Sequence, residues 1–286
     1  MIGTVEAARE AYAEELRFLT HFSSQALFDA FATVPRERFV GPGPWRIVGL
    51  GGHWTTEDAD PRQLYRNVLI ALDEAKGINN GQPSLWALFL DRLQLRRNDH
   101  LLHLGCGTGY YTAILAEVVG PEGQITAVEI DQDVAERARI ALAPWPEVTV
   151  VHGDGSSGPF EPVDGIVVSA GATHPLAAWL AALKPGGKVL FPLTPDKGPG
   201  AMAHLIRRGE ERFEARLTYG AQFIPFSGAR DPAVSKRLSE ALSRDEGAAV
   251  KSLRCDPHEK EETCWLHGEG WCFSTRELSK DQFVVQ

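Results

Sequence analysis

Apolar residues recur at helical spacing over residues 4–20, where Val5, Ala8, Tyr12, Leu16 and Leu19 share one face. A second helix is expected from Ser23-Ser24 to just before Pro35, because the residue ahead of a proline avoids helical geometry. Residues 41–59 read as loop or short strand. Asp60-Pro61 then reads as an N-cap with proline at the first helical position. Leu64, Tyr65, Val68, Leu69 and Leu72 fall on one face of the helix it would open, and Gly77 fits its stop. A further helix, 83–94, opens on Pro83.

From residue 100 the rhythm changes. Residues 101–104, 124–130, 148–152, 165–169 and 188–192 read as strands, and 111–119, 134–142 and 175–183 as helices. Strands alternating with helices predict an α/β fold, a doubly wound, mostly parallel sheet with helices on both faces. Residues 1–98 are expected to form its helical cover, 99–228 its core, and 229–286 a small α+β extension. That extension holds a helix at 231–245 and a hairpin at 263–274 around Gly268-Glu269. Sheets of this kind bind ligands at the carboxyl ends of their strands.

The stretch His103-Leu104-Gly105-Cys106-Gly107-Thr108-Gly109-Tyr110 joins a strand to a helix there. Its spacing is G-x-G-x-G, with tyrosine where a dinucleotide site wants a third glycine, and the P-loop pattern is absent. Such a loop lets a ligand approach the backbone and the helix N-terminus. Glu129 ends the second strand, where a carboxylate accepts both hydroxyls of a ribose. Asp154 follows the third strand, where it can accept from an exocyclic amine. Together they make an adenosine site without a phosphate grip.

These residues resemble the class I, Rossmann-like S-adenosylmethionine-dependent methyltransferases, and more narrowly the protein-L-isoaspartate O-methyltransferase family. The matching stretches are Val34-Pro35-Arg36-Glu37-Arg38-Phe39-Val40, then 104–111, 150–156, 164–172, 183–193 and Phe223-Ile224-Pro225-Phe226. They lie within residues 24–226. The resemblance places Gly105, Gly107 and Gly109 against the methionine moiety, Glu129 on the ribose and Asp154 on the adenine. His103, Cys106, Ile130 and Gly155 complete the expected cofactor-binding set.

Three features depart from the family. His103 stands where an acidic residue is usual. With Pro83 aligned, Gly81 stands where the family carries its active-site serine; Asn79, Asn80, Gln82 and Ser84 are the remaining donors of what the resemblance makes the substrate loop, and these five residues are the expected catalytic set. The C-terminal extension is absent from smaller bacterial members. The resemblance implies methyl transfer to a carboxylate oxygen, for protein repair or on a dedicated peptide or small molecule. A carboxylate with a pKa near ~4 is ionised at neutral pH, so no general base is required. The rival reading is a non-catalytic S-adenosylmethionine-binding module.

The formal charge of −9 argues against a nucleic-acid partner, as does Ser169-Ala170-Gly171-Ala172, where a base N-methyltransferase carries a proline-aromatic element. No apolar run is long enough to span a membrane, and residues 1–15 do not read as a secretory signal. The expectation is a cytoplasmic enzyme; oligomeric state is left open. His152 and His174 read as solvated or satisfied rather than catalytic. Cys255, His258, Cys264, His267 and Cys272 offer two C-x-x-H spacings. Cys264 and His267, however, lie three apart on a predicted strand and should face opposite ways, so no metal is expected.

Overall fold

The computed structural model describes residues 3–49 and 52–278; residues 50–51 of the expected loop, residues 1–2, and 279–286 of the expected extension lie outside the described residues. The chain divides into two compact units, one of residues 1–100 with 106–153 and the other of residues 101–105 with 154–286.

In the first unit, α1 (Val5–Thr20) starts at Thr4, whose hydroxyl accepts from the Ala7 amide at 3.2 Å, and buries Tyr12, Ala13 and Leu16. α2 (Gln25–Thr33) is capped likewise by Ser24, and Val34 turns extended ahead of Pro35. A single 3-10 turn, Arg36–Phe39, follows. β1 (Arg46–Gly49), β2 (Gly52–Thr55), β3 (Leu69–Asp73) and β4 (Ile78–Asn79) form an antiparallel sheet in the order β2-β1-β3-β4.

This sheet corrects the helix expected from Pro61 to Gly77. Asp60 does cap, its carboxylate accepting from the Arg62 amide at 3.0 Å, but the helix is one 3-10 turn, Pro61–Leu64. Leu69 and Leu72 lie in β3 instead. The cause is Arg36, which is fully buried. Its Nη1 donates to the carbonyls of Leu64 (2.7 Å) and Arg66 (2.9 Å), and its Nη2 to that of Val68 (2.7 Å). Carbonyls turned onto a buried cation cannot serve a helix, and the charge-assisted bonds outweigh a weak helical period. Val68 and Leu72 then pack on a cluster of Val40, Trp45, Ile47, Leu64 and Ile70.

α3 (Pro83–Leu93) begins at its expected proline. β5 (His100–Leu104) groups with the second unit. The first unit continues through α4 (Tyr110–Val119), β6 (Gln124–Glu129), α5 (Gln132–Ala141) and β7 (Val148–His152), with β6 and β7 parallel. α5 opens on Asp131, whose carboxylate accepts from the amides of Asp133 and Val134.

In the second unit β5, β8 (Val163–Val168) and β9 (Leu183–Leu193) are parallel, with α6 (Ala177–Ala182) between the last two. Beyond Leu193 each strand pairs antiparallel: β10 (Gly200–Arg207), β11 (Arg212–Ala221), β12 (Ser252–Arg254), and the hairpin β13 (Cys264–Gly268) with β14 (Trp271–Ser274). The order is β5-β8-β9-β10-β11-β12-β14-β13, so the C-terminal segment extends this sheet, and α7 (Pro232–Asp245) precedes β12.

The hairpin carries a second correction. Its register shifts between Cys264, opposite Ser274, and Leu266, opposite Phe273. One extra residue breaks the alternation that would send Cys264 and His267 to opposite faces. Their Sγ and Nδ1 atoms lie 3.8 Å apart.

Candidate active site

The glycine loop ends in a tight turn, with the Gly109 amide donating to the Cys106 carbonyl at 3.0 Å. The Cys106 amide donates to the Val128 carbonyl at 3.1 Å, which ties the loop to β6. Glu129 completes the tie: Oε2 accepts from the Gly107 amide at 2.9 Å and Oε1 from the Asp131 amide at 3.1 Å. The loop's glycines serve different ends. Gly109, at φ +96°, leaves no room for a Cβ, which would stand 2.6 Å from Leu142 Cδ1. Gly107, at φ +58°, has nothing within 4 Å of that position, so its backbone is open to a ligand. Thr108 donates its hydroxyl to the Phe39 carbonyl at 2.6 Å and so anchors the 34–40 motif to the loop.

Cys106 is buried, and burial, then the Glu129 charge, pushes its thiol pKa well up; it is a packed neutral side chain rather than a nucleophile. Ile130 follows Glu129 with its side chain exposed, and its carbonyl lies 3.1 Å from His152 Nε2.

The segment 79–84 is held by one internal turn and by the residues around it. Asn79 Oδ1 accepts from the Gly81 amide at 2.9 Å, an Asx turn. Asn80 Oδ1 accepts from Arg36 Nη2 at 3.2 Å and from the Ile70 amide at 3.0 Å. The Asn80 amide nitrogen is buried with no partner among the described residues. Asn67 Oδ1 accepts from the Ser84 amide at 2.9 Å and from Gln82 Nε2 at 3.4 Å. Tyr111 donates its hydroxyl to the Gly81 carbonyl at 3.2 Å. Gly81 has φ +74°, and a Cβ there would lie 2.6 Å from Trp86 Nε1 and 3.1 Å from Tyr111 Cε2.

Of the five expected catalytic residues, then, Asn79 and Asn80 spend their side-chain oxygens on the loop itself, and Gln82 and Ser84 lean on Asn67. Arg36, Asn67, Trp86 and Tyr111 were not among the expected site residues. Arg36 had one readable signal, a cation between the apolar positions of Val34-Pro35-Arg36-Glu37-Arg38-Phe39, where burial requires several acceptors.

In the second unit Gly105 closes β5 at φ +69°. His103 is fully buried with Nε2 2.8 Å from Ser169 Oγ, and burial pushes its pKa down to about 3, so the ring is neutral. Asp154 is exposed and fixed by Ser156, whose amide (2.9 Å) and hydroxyl (2.8 Å) donate to its two oxygens. Gly155 is buried, and its carbonyl accepts from Trp179 Nε1 at 2.8 Å.

Residues 56–231 match the family described as Protein-L-isoaspartate(D-aspartate) O-methyltransferase. The chain belongs to this family. The protein-L-isoaspartate O-methyltransferase of Ignicoccus hospitalis is 35% identical over 186 residues, which are 64% of this chain and 80% of that one. That of Methanothermobacter thermautotrophicus is 30% identical over 224 residues, 77% of this chain and 95% of that one. Among solved structures, a protein-L-isoaspartate O-methyltransferase superposes with a TM-score of 0.65 at 24% identity, covering 83% of this chain and 69% of the other. A Plasmodium falciparum protein of the family, in complex with S-adenosyl-L-homocysteine, gives 0.62 at 15%, covering 77% and 98%. The fold is thus that of the class I methyltransferases, as expected, and the enzyme is an S-adenosylmethionine-dependent methyltransferase. Among the described residues no helix is long and apolar enough to cross a membrane.

Proposed function

We propose that this methyltransferase acts on a carboxylate oxygen of a peptide or protein, with the cofactor and acceptor held as follows. Glu129 accepts from the ribose hydroxyls, Asp154 from the adenine amine, and Gly105 and Gly107 border the methionine moiety. Ile130 offers an exposed apolar surface to the base. The donor set fits this cofactor: an open glycine backbone at Gly107 beside a largely buried carboxylate that already orders the loop. When bound, S-adenosylmethionine supplies a methyl group on a sulfonium leaving group.

The acceptor carboxylate, ionised at its usual pKa of about 4, needs no base. The chain's task is to hold it, exclude water and leave its charge available. Neutral donors suit that task, and the Asn80 amide nitrogen is such a donor. A buried unpaired amide costs ~1–3 kcal/mol, which a bound carboxylate relieves. The observation that carries the reading is the family match across residues 56–231, which spans both segment 79–84 and the glycine loop. None of the four cysteines is joined in a disulfide, which favours the cytoplasm.

Gly81 supports one refinement, a dedicated acceptor in place of a general isoaspartyl substrate, because the family's serine has no space there. Labelled S-adenosylmethionine with a matched isoaspartyl and aspartyl peptide pair tests both. Base-labile label on the isoaspartyl peptide alone establishes the repair reaction and removes the refinement. Label on neither, with cofactor bound by calorimetry, removes the general isoaspartyl reaction and leaves a dedicated acceptor or a binding-only role. Absence of cofactor binding would overturn the cofactor-site assignments.

A further inference from the structure

Far along the chain from the glycine loop, the C-terminal hairpin gathers four side chains that the methyl transfer does not use. His258, Cys264, His267 and Cys272 each present one ligand atom, and these atoms all lie within 4.8 Å of one another. Cys264 Sγ is 3.6 Å from His258 Nε2 and 3.8 Å from His267 Nδ1. A tetrahedral zinc ion with Zn–S of about 2.3 Å and Zn–N of about 2.05 Å would set such S···N edges at about 3.6 Å. We propose that these four residues bind one structural zinc ion in a Cys2His2 site.

Local structure explains the convergence. His267 and Cys272 sit directly opposite in the β13–β14 pairing. The bulge between Cys264 and Leu266 swings Cys264 to the same side. His258 arrives from the segment between β12 and β13. The surroundings match what metal ligands require. His258 Nδ1 donates to the Asp256 carbonyl at 2.7 Å, which leaves the Nε2 lone pair free to ligate. Asp256 is itself fixed by Arg254, with bonds of 3.0 and 2.6 Å. The Glu261 amide donates to Cys264 Sγ at 3.3 Å. The two cysteines are not joined by a disulfide.

Two thiolates and two imidazoles select zinc over magnesium or calcium, which take oxygen ligands. Four protein ligands close the coordination sphere, so the ion is structural rather than catalytic. It would pin segment 255–263 to the hairpin, which has Trp265, Trp271 and Phe273 for an apolar core. Cys255 stays outside the cluster and serves as the control.

The test uses the full chain, untagged. Elemental analysis after dialysis against Zn2+ and removal of excess is expected to give about one zinc per chain. Exchange for Co2+ should give the intense visible bands of a tetrahedral thiolate site. Cys264→Ser and His258→Ala should each lower retained zinc at least tenfold, and Cys255→Ser should leave it unchanged. The proposal is overturned if the parent protein retains no zinc and shows only weak octahedral cobalt bands, or if Cys255→Ser loses the ion and Cys264→Ser keeps it. Should the ligand variants fail to fold, the parent's metal content and cobalt spectrum decide alone.

Discussion

Replacing Gly81 by serine restores the hydroxyl that the family carries at this point, and the structure expects the change to fail. Two costs add. A residue with a Cβ at φ +74° loses ~1–2 kcal/mol in the left-handed region. The new Cβ also meets Trp86 Nε1 at 2.6 Å and Tyr111 Cε2 at 3.1 Å. Trp86 is 1% exposed and its ring lies 5.1 Å from that of Tyr111, so neither ring can swing clear. Overpacking of that kind costs about 1–3 kcal/mol. The sum is a destabilisation of about 2–5 kcal/mol. Urea unfolding read by tryptophan fluorescence measures it. Gly81→Ala should lose nearly as much, because the backbone and Cβ carry the cost rather than the hydroxyl. A serine variant within about 0.5 kcal/mol of the parent, inside the range of an ordinary surface change, would mean that position 81 tolerates a side chain after all. So would a serine variant that gains isoaspartyl turnover at undiminished stability, since the loop would then accept the family residue freely.

Asn80→Asp keeps an oxygen for Arg36 and the Ile70 amide but removes the buried amide donor, so KM for the acceptor should rise at least tenfold with little change in cofactor affinity; an unchanged KM removes Asn80 from acceptor binding. Glu129→Ala and Asp154→Ala should each weaken S-adenosylmethionine binding by ~1–3 kcal/mol in calorimetry, and unchanged affinity in both would sink the cofactor assignment. His103 is buried neutral with its pKa pushed down to about 3, so below its ordinary 6.5 the unfolded chain takes up a proton that the folded one refuses. Its contribution is complete above pH 6.5 and falls with pH, by about 2 kcal/mol at pH 5; urea midpoints at the two pH values measure the loss, and an equal loss in His103→Asn would show that His103 is not its source.

Much of the fold was legible where the chain's signals are local. Asp60 caps as expected, the helices expected over residues 4–20 and from Ser23-Ser24 form, and Pro83 opens its helix. The glycine loop and Glu129 were legible for the same reason: Gly107 and Glu129 lie 22 positions apart, each just past or at the end of a strand that leads into a helix. Segment 79–84 was read as a set of neutral side-chain donors; Asn79 and Asn80 use their side-chain oxygens to shape the loop, and the Asn80 amide nitrogen is left a buried donor with no partner among the described residues.

The two structural misreadings have one physical source. Reading an element from its hydrophobic period assumes that its backbone partners are its own neighbours. Between residues 64 and 68 the partner is a guanidinium 28 to 32 positions away in sequence, and the predicted helix gives way to a turn and a strand. At Cys264 the ladder takes in one extra residue, and the face of every position before it is reversed. Arg36 and Glu129 anchor two separate networks. Arg36 holds Asn80 and the 64–68 carbonyls, whereas Glu129 holds Gly107. The two networks share no hydrogen bond among those described. A change at Gly81 or Asn80 should therefore add to, rather than couple with, a change at Glu129. Calorimetry on the Asn80→Asp, Glu129→Ala double variant reads this directly. Cofactor affinity close to that of Glu129→Ala alone is expected, and a coupling above about 1 kcal/mol would mean that the acceptor loop and the cofactor loop act as one unit.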